Sequence, residues 1–163
     1  MNYRFLISYF LGLILGNLSI FIFSNFEYLG INLFYLFKSG NLINSFYEYF
    51  WLGFQFNIFD LFINKLDYTY FIDVFYPAMI GWLFTGLISG TIIKGTKRAM
   101  LNALIIVVSI LIIWIILAML SGANLTFLFF TNLYKTIGGI LSLLIFLELG
   151  TIIGSLLVGK YIE

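Results

Sequence analysis

Four long apolar runs set the pattern along this chain, over residues 5–24, 74–93, 99–120 and 136–159. Each is long enough to cross a hydrocarbon core of about 30 Å as a helix. The pattern therefore predicts an all-α integral membrane protein, a four-transmembrane-helix bundle forming a single domain over residues 1–163. The first run follows Arg4 closely, as a secretory signal would. It is longer than a usual signal core, however, and no small-x-small cleavage site follows it, so it is expected to stay as a helix.

The outer connection, residues 25–73, is too apolar for a free loop. Lys38-Ser39-Gly40-Asn41 breaks it with a turn signal. From Phe54 to Asp67, Asn57, Asp60, Asn64 and Asp67 recur at helical spacing among Phe, Leu and Ile, which predicts an amphipathic helix. A fifth span over Leu42–Ile63 would put the later loops on the wrong sides by charge. An interfacial or re-entrant pair of helices is expected instead. Pro77 stands near the entry of the second run, where a first turn tolerates it, or where it kinks a helix that begins earlier.

Small residues form stripes within the runs. Ser8, Gly12, Gly16 and Ser19 share one face of the first. Gly86 and Gly90, beside Thr85 and Ser89, line the second, and Gly139, Gly150 and Gly154 lie along the fourth. Such stripes let helix backbones approach closely in lipid. The third run is bulky and poor in small residues, so it is expected to be the most peripheral helix.

Composition agrees with the pattern, at 63% hydrophobic and 9% charged. The near-neutral net charge leaves no basic patch for nucleic acid. With neither Cys nor His in the chain, disulfides, thiolate chemistry, zinc sites and ordinary haem ligation are excluded, and no cofactor is expected. The compact basic turn of Lys94, Lys97 and Arg98 dominates the charge asymmetry. By the positive-inside rule it places both termini in the cytoplasm, with the protein in the cell membrane. The connection outside would then carry Glu27, Glu48, Asp60, Asp67 and Asp73. Asp60, Asp67 and Asp73 with Tyr68 and Tyr70 are the best cluster for a cation, yet they match no metal loop, and no metal site is expected. Asn124-Leu125-Thr126 is a glycosylation sequon, meaningful only in a glycosylating host.

One residue stands apart. Glu148 lies halfway along the fourth run, where an ionisable group costs roughly 2.5–3.5 kcal/mol on insertion scales. Thr151 and Ser155 are expected on its face, with the glycines opposite, and Thr85, Ser109 and Asn17 at similar depth in the other runs. None of these neutralises a carboxylate, and the spans hold no Lys or Arg. Glu148 therefore either carries a proton or meets a cation supplied by another chain. Its surroundings, LLIFLELGTIIG (143–154), locally resemble the last helix of the proton-translocating proteolipid subunits of rotary ATPases. The resemblance implies a proton-carrying carboxylate in a four-span chain. It ends after a dozen residues: the third run is too bulky for proteolipid rings and the outer connection has no counterpart, so it reads as convergence.

No nucleophile and base, and no phosphate-binding loop, appear together, so no catalytic residue and no enzyme activity are expected. The leading expectation is an accessory subunit of a larger membrane complex. It would dock on other subunits through its Gly/Ser faces and Glu148, with lipid around it. The alternative is an oligomeric proton- or ion-coupled transporter or channel using Glu148. A stand-alone protein in which Glu148 only packs is the remaining reading. The topology is directly testable: cysteines replacing Thr96 and Ser121 are expected to react with an impermeant thiol reagent from opposite sides, and reaction from one side refutes the arrangement.

Overall fold

The computed structural model describes residues 3–38, 40–63, 68–124 and 133–159. Several sequence features therefore lie outside the described residues: Ser39 of the turn signal, Asn64 and Asp67 of the expected amphipathic helix, and Leu125 and Thr126 of the sequon.

Four helices are long and apolar enough to cross a membrane: Tyr3–Phe23, Tyr68–Ile92, Thr96–Leu120 and Leu133–Val158. The chain runs α1 (Tyr3–Phe23), β1 (Glu27–Tyr28), β2 (Ile31–Asn32), α2 (Leu33–Leu36), α3 (Leu42–Leu52) and α4 (Asp60–Ile63). It continues with α5 (Tyr68–Tyr70), a π-turn (Phe71–Phe75), α6 (Tyr76–Ile92), α7 (Thr96–Leu120) and α8 (Leu133–Val158).

After α1 the chain reverses sharply. Asn25 and Phe26 take left-handed backbone angles, and the Phe26 N–H donates back to the Phe21 carbonyl at 2.6 Å. A two-residue antiparallel pairing, Glu27 with Asn32 and Tyr28 with Ile31, follows. Tyr28 is fully buried and its hydroxyl donates to the Val74 carbonyl at 3.1 Å. Burial pushes that phenol well above its ordinary pKa, which keeps it a donor.

The second long helix begins earlier than the hydropathy run, at Tyr68 rather than residue 74. Pro77 thus falls inside it, and Phe71–Phe75 widens into a π-turn in which the Tyr76 N–H donates to the Phe71 carbonyl. The cause is local: Pro77 has no N–H and its ring crowds the preceding turn, which a wider turn accommodates.

Among the long helices, α6 makes its closest pairing with α8 and the next closest with α1. Gly86 and Gly90 face the backbone of α8 around Leu147, Thr151 and Ser155. In return Gly150 and Gly154 face the Leu83 and Leu87 carbonyls of α6. A Cβ at any of these four would run into backbone, which cannot yield as a side chain can. On α1, Gly12 receives the tip of Ile106 and Gly16 receives the Trp82 ring, while Gly81 of α6 lies against Ile20. α7 is the least buried of the four long helices. It turns Ala99, Ala103, Ile106, Ile110 and Trp114 inward and leaves Leu101, Leu104, Val108, Ile112 and Ile116 outward.

These contacts rank the sites. Gly90→Leu is expected to lower stability by about 1–3 kcal/mol or more, as overpacking does. Ile112→Phe, on the exposed face of α7, should change it by no more than about 0.5 kcal/mol. Unfolding in detergent, followed by circular dichroism, reads both, and equal losses would contradict the packing described.

Candidate functional site

The connection over residues 25–73 holds the largest departure from the sequence pattern. Phe54–Asp67 is not one amphipathic helix: Phe54–Phe59 is non-helical, and helix resumes only over Asp60–Ile63. Phe54, Phe56 and Asn57 are buried. Asn57 is therefore not on a solvated polar face. Its side chain packs on Gly138, and its Oδ1 accepts the Phe59 N–H at 2.9 Å.

This segment re-enters the bundle. Gly53 lies against Asn17 of α1 and Trp82 of α6, and the Phe54 backbone lies on Gly139 of α8. The Ile58 N–H donates to Ser142 Oγ at 2.7 Å. Ser142 is nine residues into α8, roughly 13 Å along the helix at 1.5 Å per residue. Non-helical backbone at such depth must be satisfied by protein. Here the Gly53 carbonyl accepts from Trp82 Nε1 at 3.3 Å, and the Asn57 N–H donates to the Tyr70 hydroxyl at 3.1 Å. Asn17 Nδ2 donates to the Tyr49 carbonyl at 2.9 Å just before the segment. Trp114 of α7 stacks on Trp51 at 5.3 Å and on Tyr47 at 6.4 Å, closing the other flank. The signals for this insertion were Gly53, flat against Asn17 and Trp82, and the Gly138-Gly139 pair, flat under Asn57 and Phe54.

The polar residues at Glu148's expected depth do not gather around it. Asn17 of α1 is turned to the start of the re-entrant segment, bonding the Tyr49 carbonyl and lying against Gly53. Thr85 Oγ1 donates to the Gly81 carbonyl and lies 3.0 Å from Ser19 Oγ, which also bonds the Gly81 carbonyl across the α1–α6 contact. Ser109 Oγ accepts from the Tyr9 hydroxyl at 2.9 Å. Ser8, Ser89 and Asn102 form a further buried set that the hydropathy pattern does not reveal: Ser8 Oγ donates to the Ser89 carbonyl at 3.0 Å and accepts from Asn102 Nδ2 at 2.9 Å.

Glu148 itself is half-buried, with Oε2 shielded and without a hydrogen-bond partner. Thr151 and Ser155, expected beside it, are buried against α6 together with Gly150 and Gly154. The polar and glycine residues thus do not serve opposite flanks of α8. They form one broad face turned to α6, and Glu148 stands at its rim. Thr151 Oγ1 is committed to the Leu147 carbonyl at 2.7 Å, and Ser155 Oγ to the Ile152 carbonyl at 2.9 Å.

Of the acidic cluster weighed for a cation, Asp67 lies outside the described residues; Asp60 Oδ2 accepts from Tyr70 at 3.4 Å, whereas Asp73 shares with Glu27 a cleft of about 570 Å³. Among the described residues no three acid, His or Cys side chains converge on a metal position. No family model matches this chain, and neither a curated protein nor a solved structure matches it.

All three tryptophans of the chain, Trp51, Trp82 and Trp114, touch or flank the re-entrant segment. Gly139→Leu, which forces a side chain against the Phe54 backbone, is expected to red-shift their fluorescence and to cost about 1–3 kcal/mol. Helical circular dichroism should persist. An unshifted emission spectrum would show that the segment does not depend on this contact.

Proposed function

We propose that this chain is an integral membrane protein with both termini in the cytoplasm, and that it serves as a small subunit of a larger membrane complex, docking on a neighbour through the rim of α8 at Glu148. The observation that supports this is the state of that residue. It lies near the middle of a 26-residue apolar helix, half-exposed, with one carboxylate oxygen shielded and unbonded. Acidic groups at such depth pair with a cation, line a water-filled cavity or carry a proton. Leu149, Ile145, Ile153 and Leu156, its exposed neighbours on α8, form an apolar surface on the same side of the helix.

The Gly and Ser faces play no part in this docking. Gly86, Gly90, Gly150 and Gly154 are occupied by one another's helices, and Gly12 and Gly16 by Ile106 and Trp82. A partner instead meets bulky side chains with one carboxylate among them, so it would present a Lys or Arg within an apolar helix. Oligomeric proton or ion transport remains the alternative.

Glu148→Gln separates the readings because it keeps the shape but cannot ionise. If a partner's cation pairs with Glu148, the substitution leaves that cation alone in the membrane at a cost of about 3–5 kcal/mol. Co-purification of partner subunits from native membranes should then fall sharply. Normal assembly with lost transport would favour the proton-carrying alternative, and unchanged assembly and activity would reject both.

A further inference from the structure

The connection between α1 and α3 forms more than a link. Its short helix α2 and the first turns of α3 stand away from α1 and leave a groove of about 550 Å³ between them, a volume within the roughly 300–1,000 Å³ range of small-ligand sites. Leu13, Ile14 and Leu18 of α1 form one wall, and Phe34, Phe37 and Phe46 form much of the other. The aromatic wall is pre-built: Phe37 meets Phe46 edge-on at 5.1 Å and tilts against Tyr49 at 5.9 Å. It is also held in place. The buried Ser45 hydroxyl donates to the Leu36 carbonyl at 2.6 Å and so ties α3 to the end of α2, while Asn41 Oδ1 caps α3 at the Asn44 N–H.

A cation follows the groove lining directly in sequence. Lys38 follows Phe37, with its N–H donating to the Tyr35 carbonyl at 3.1 Å, so the turn of α2 continues to it. It lies four residues beyond Phe34, another lining residue. Lys38 is exposed. Glu48, the acid on α3, lies two residues from Phe46 and hence about 200° around that helix, away from the groove. An apolar groove and the exposed Lys38 thus lie side by side along the chain. The α1 wall begins about 8 Å and ends about 15 Å from the end of that helix at Phe23, a depth at which acyl chains lie.

We propose that this groove seats one acyl chain of an anionic phospholipid, with the phosphate held at Lys38. The inference rests on membrane insertion but not on the docking role of Glu148. Bulk lipid would wet any apolar surface; what distinguishes this one is the pre-built aromatic wall and the exposed Lys38 next to it in the chain. A juxtamembrane Lys favours an anionic headgroup by about fivefold.

The test is native mass spectrometry of the full chain released from detergent micelles, with dioleoyl phosphatidylglycerol or dioleoyl phosphatidylcholine added at equal concentration. One bound lipid is expected, with phosphatidylglycerol preferred about fivefold. Lys38→Glu, at an exposed position, should abolish the preference while leaving helicity and melting unchanged. Ile14→Trp, which fills the groove, should remove most of the bound lipid of both kinds. Equal retention of the two lipids, unaltered by Lys38→Glu, overturns the proposal. So does a dimer mass that Ile14→Trp dissociates, since a second copy would then be the occupant. Extraction of the chain from membranes by alkaline carbonate would remove the membrane reading itself, whereas a membrane-integral chain without lipid preference removes only this inference.

Discussion

The structure depends on the backbone-to-backbone contact of α6 with α8. Gly86 and Gly90 face Leu147, Thr151 and Ser155, and Gly150 and Gly154 face Leu83 and Leu87, so that each helix supplies the gap the other fills. In lipid there is no hydrophobic gain from pressing one apolar helix on another, and association rests on dispersion at short range together with interhelical hydrogen bonds. Two pairs of glycines four residues apart give that short range over two turns. α1 then packs on the far side of α6, where Ser19, Thr85 and the Gly81 carbonyl share hydrogen bonds across the contact. Bulky α7 closes the bundle by placing Ala103 and Ile106 inward.

With the bundle fixed, a wedge remains beside Trp82 and the Gly138-Gly139 pair, and the chain fills it with itself. The segment from Gly53 to Ile58 is flat where it must be flat, at Gly53 against Trp82 and at Phe54 over Gly139. It is aromatic where volume is needed: Phe56 packs between Phe75 and Phe146 at 5.8 Å and 6.1 Å. Its exposed peptide groups find Trp82, Tyr70 and Ser142, which is the condition for irregular backbone at this depth. The aromatic wealth of the chain is thus partly structural, since rings make the third layer that the small-residue helices cannot.

The four long helices were legible in the sequence because hydropathy over about twenty residues is a coarse, additive signal that neighbouring contacts scarcely alter. The start of the second was misplaced because Asp73 and the tyrosines before it lower the hydropathy while the backbone stays helical through the π-turn. The error over Phe54–Asp67 has a different origin. Polar residues at helical spacing describe a helix only if each finds water, and Asn57 instead uses its side chain to turn its own backbone at Phe59 and to pack on Gly138. Tertiary contact overrode periodicity there. The glycine stripes were visible as stripes, but a stripe does not say which neighbour takes it, and the GxxxG of α6 (Gly86, Gly90) met the one in α8 (Gly150, Gly154) rather than another chain.

That outcome narrows what is left for function. Buried hydroxyls such as Ser19, Thr85, Thr151 and Ser155 bond carbonyls within or across their helices, which is how polar groups are ordinarily accommodated in an apolar bundle. They need no ligand to explain them. Glu148 has no such partner at Oε2, and it lies at the rim of the α8 face rather than at its centre. Packing alone would have favoured Leu or Ile at that position, as at Ile145 and Ile153 on the neighbouring exposed strip. The proposed function gives that shielded, unbonded oxygen a counterpart outside the chain. On the docking reading this is a cation held by the adjoining subunit, because a shared apolar contact shields such a pair from water without asking either helix to bury a lone charge.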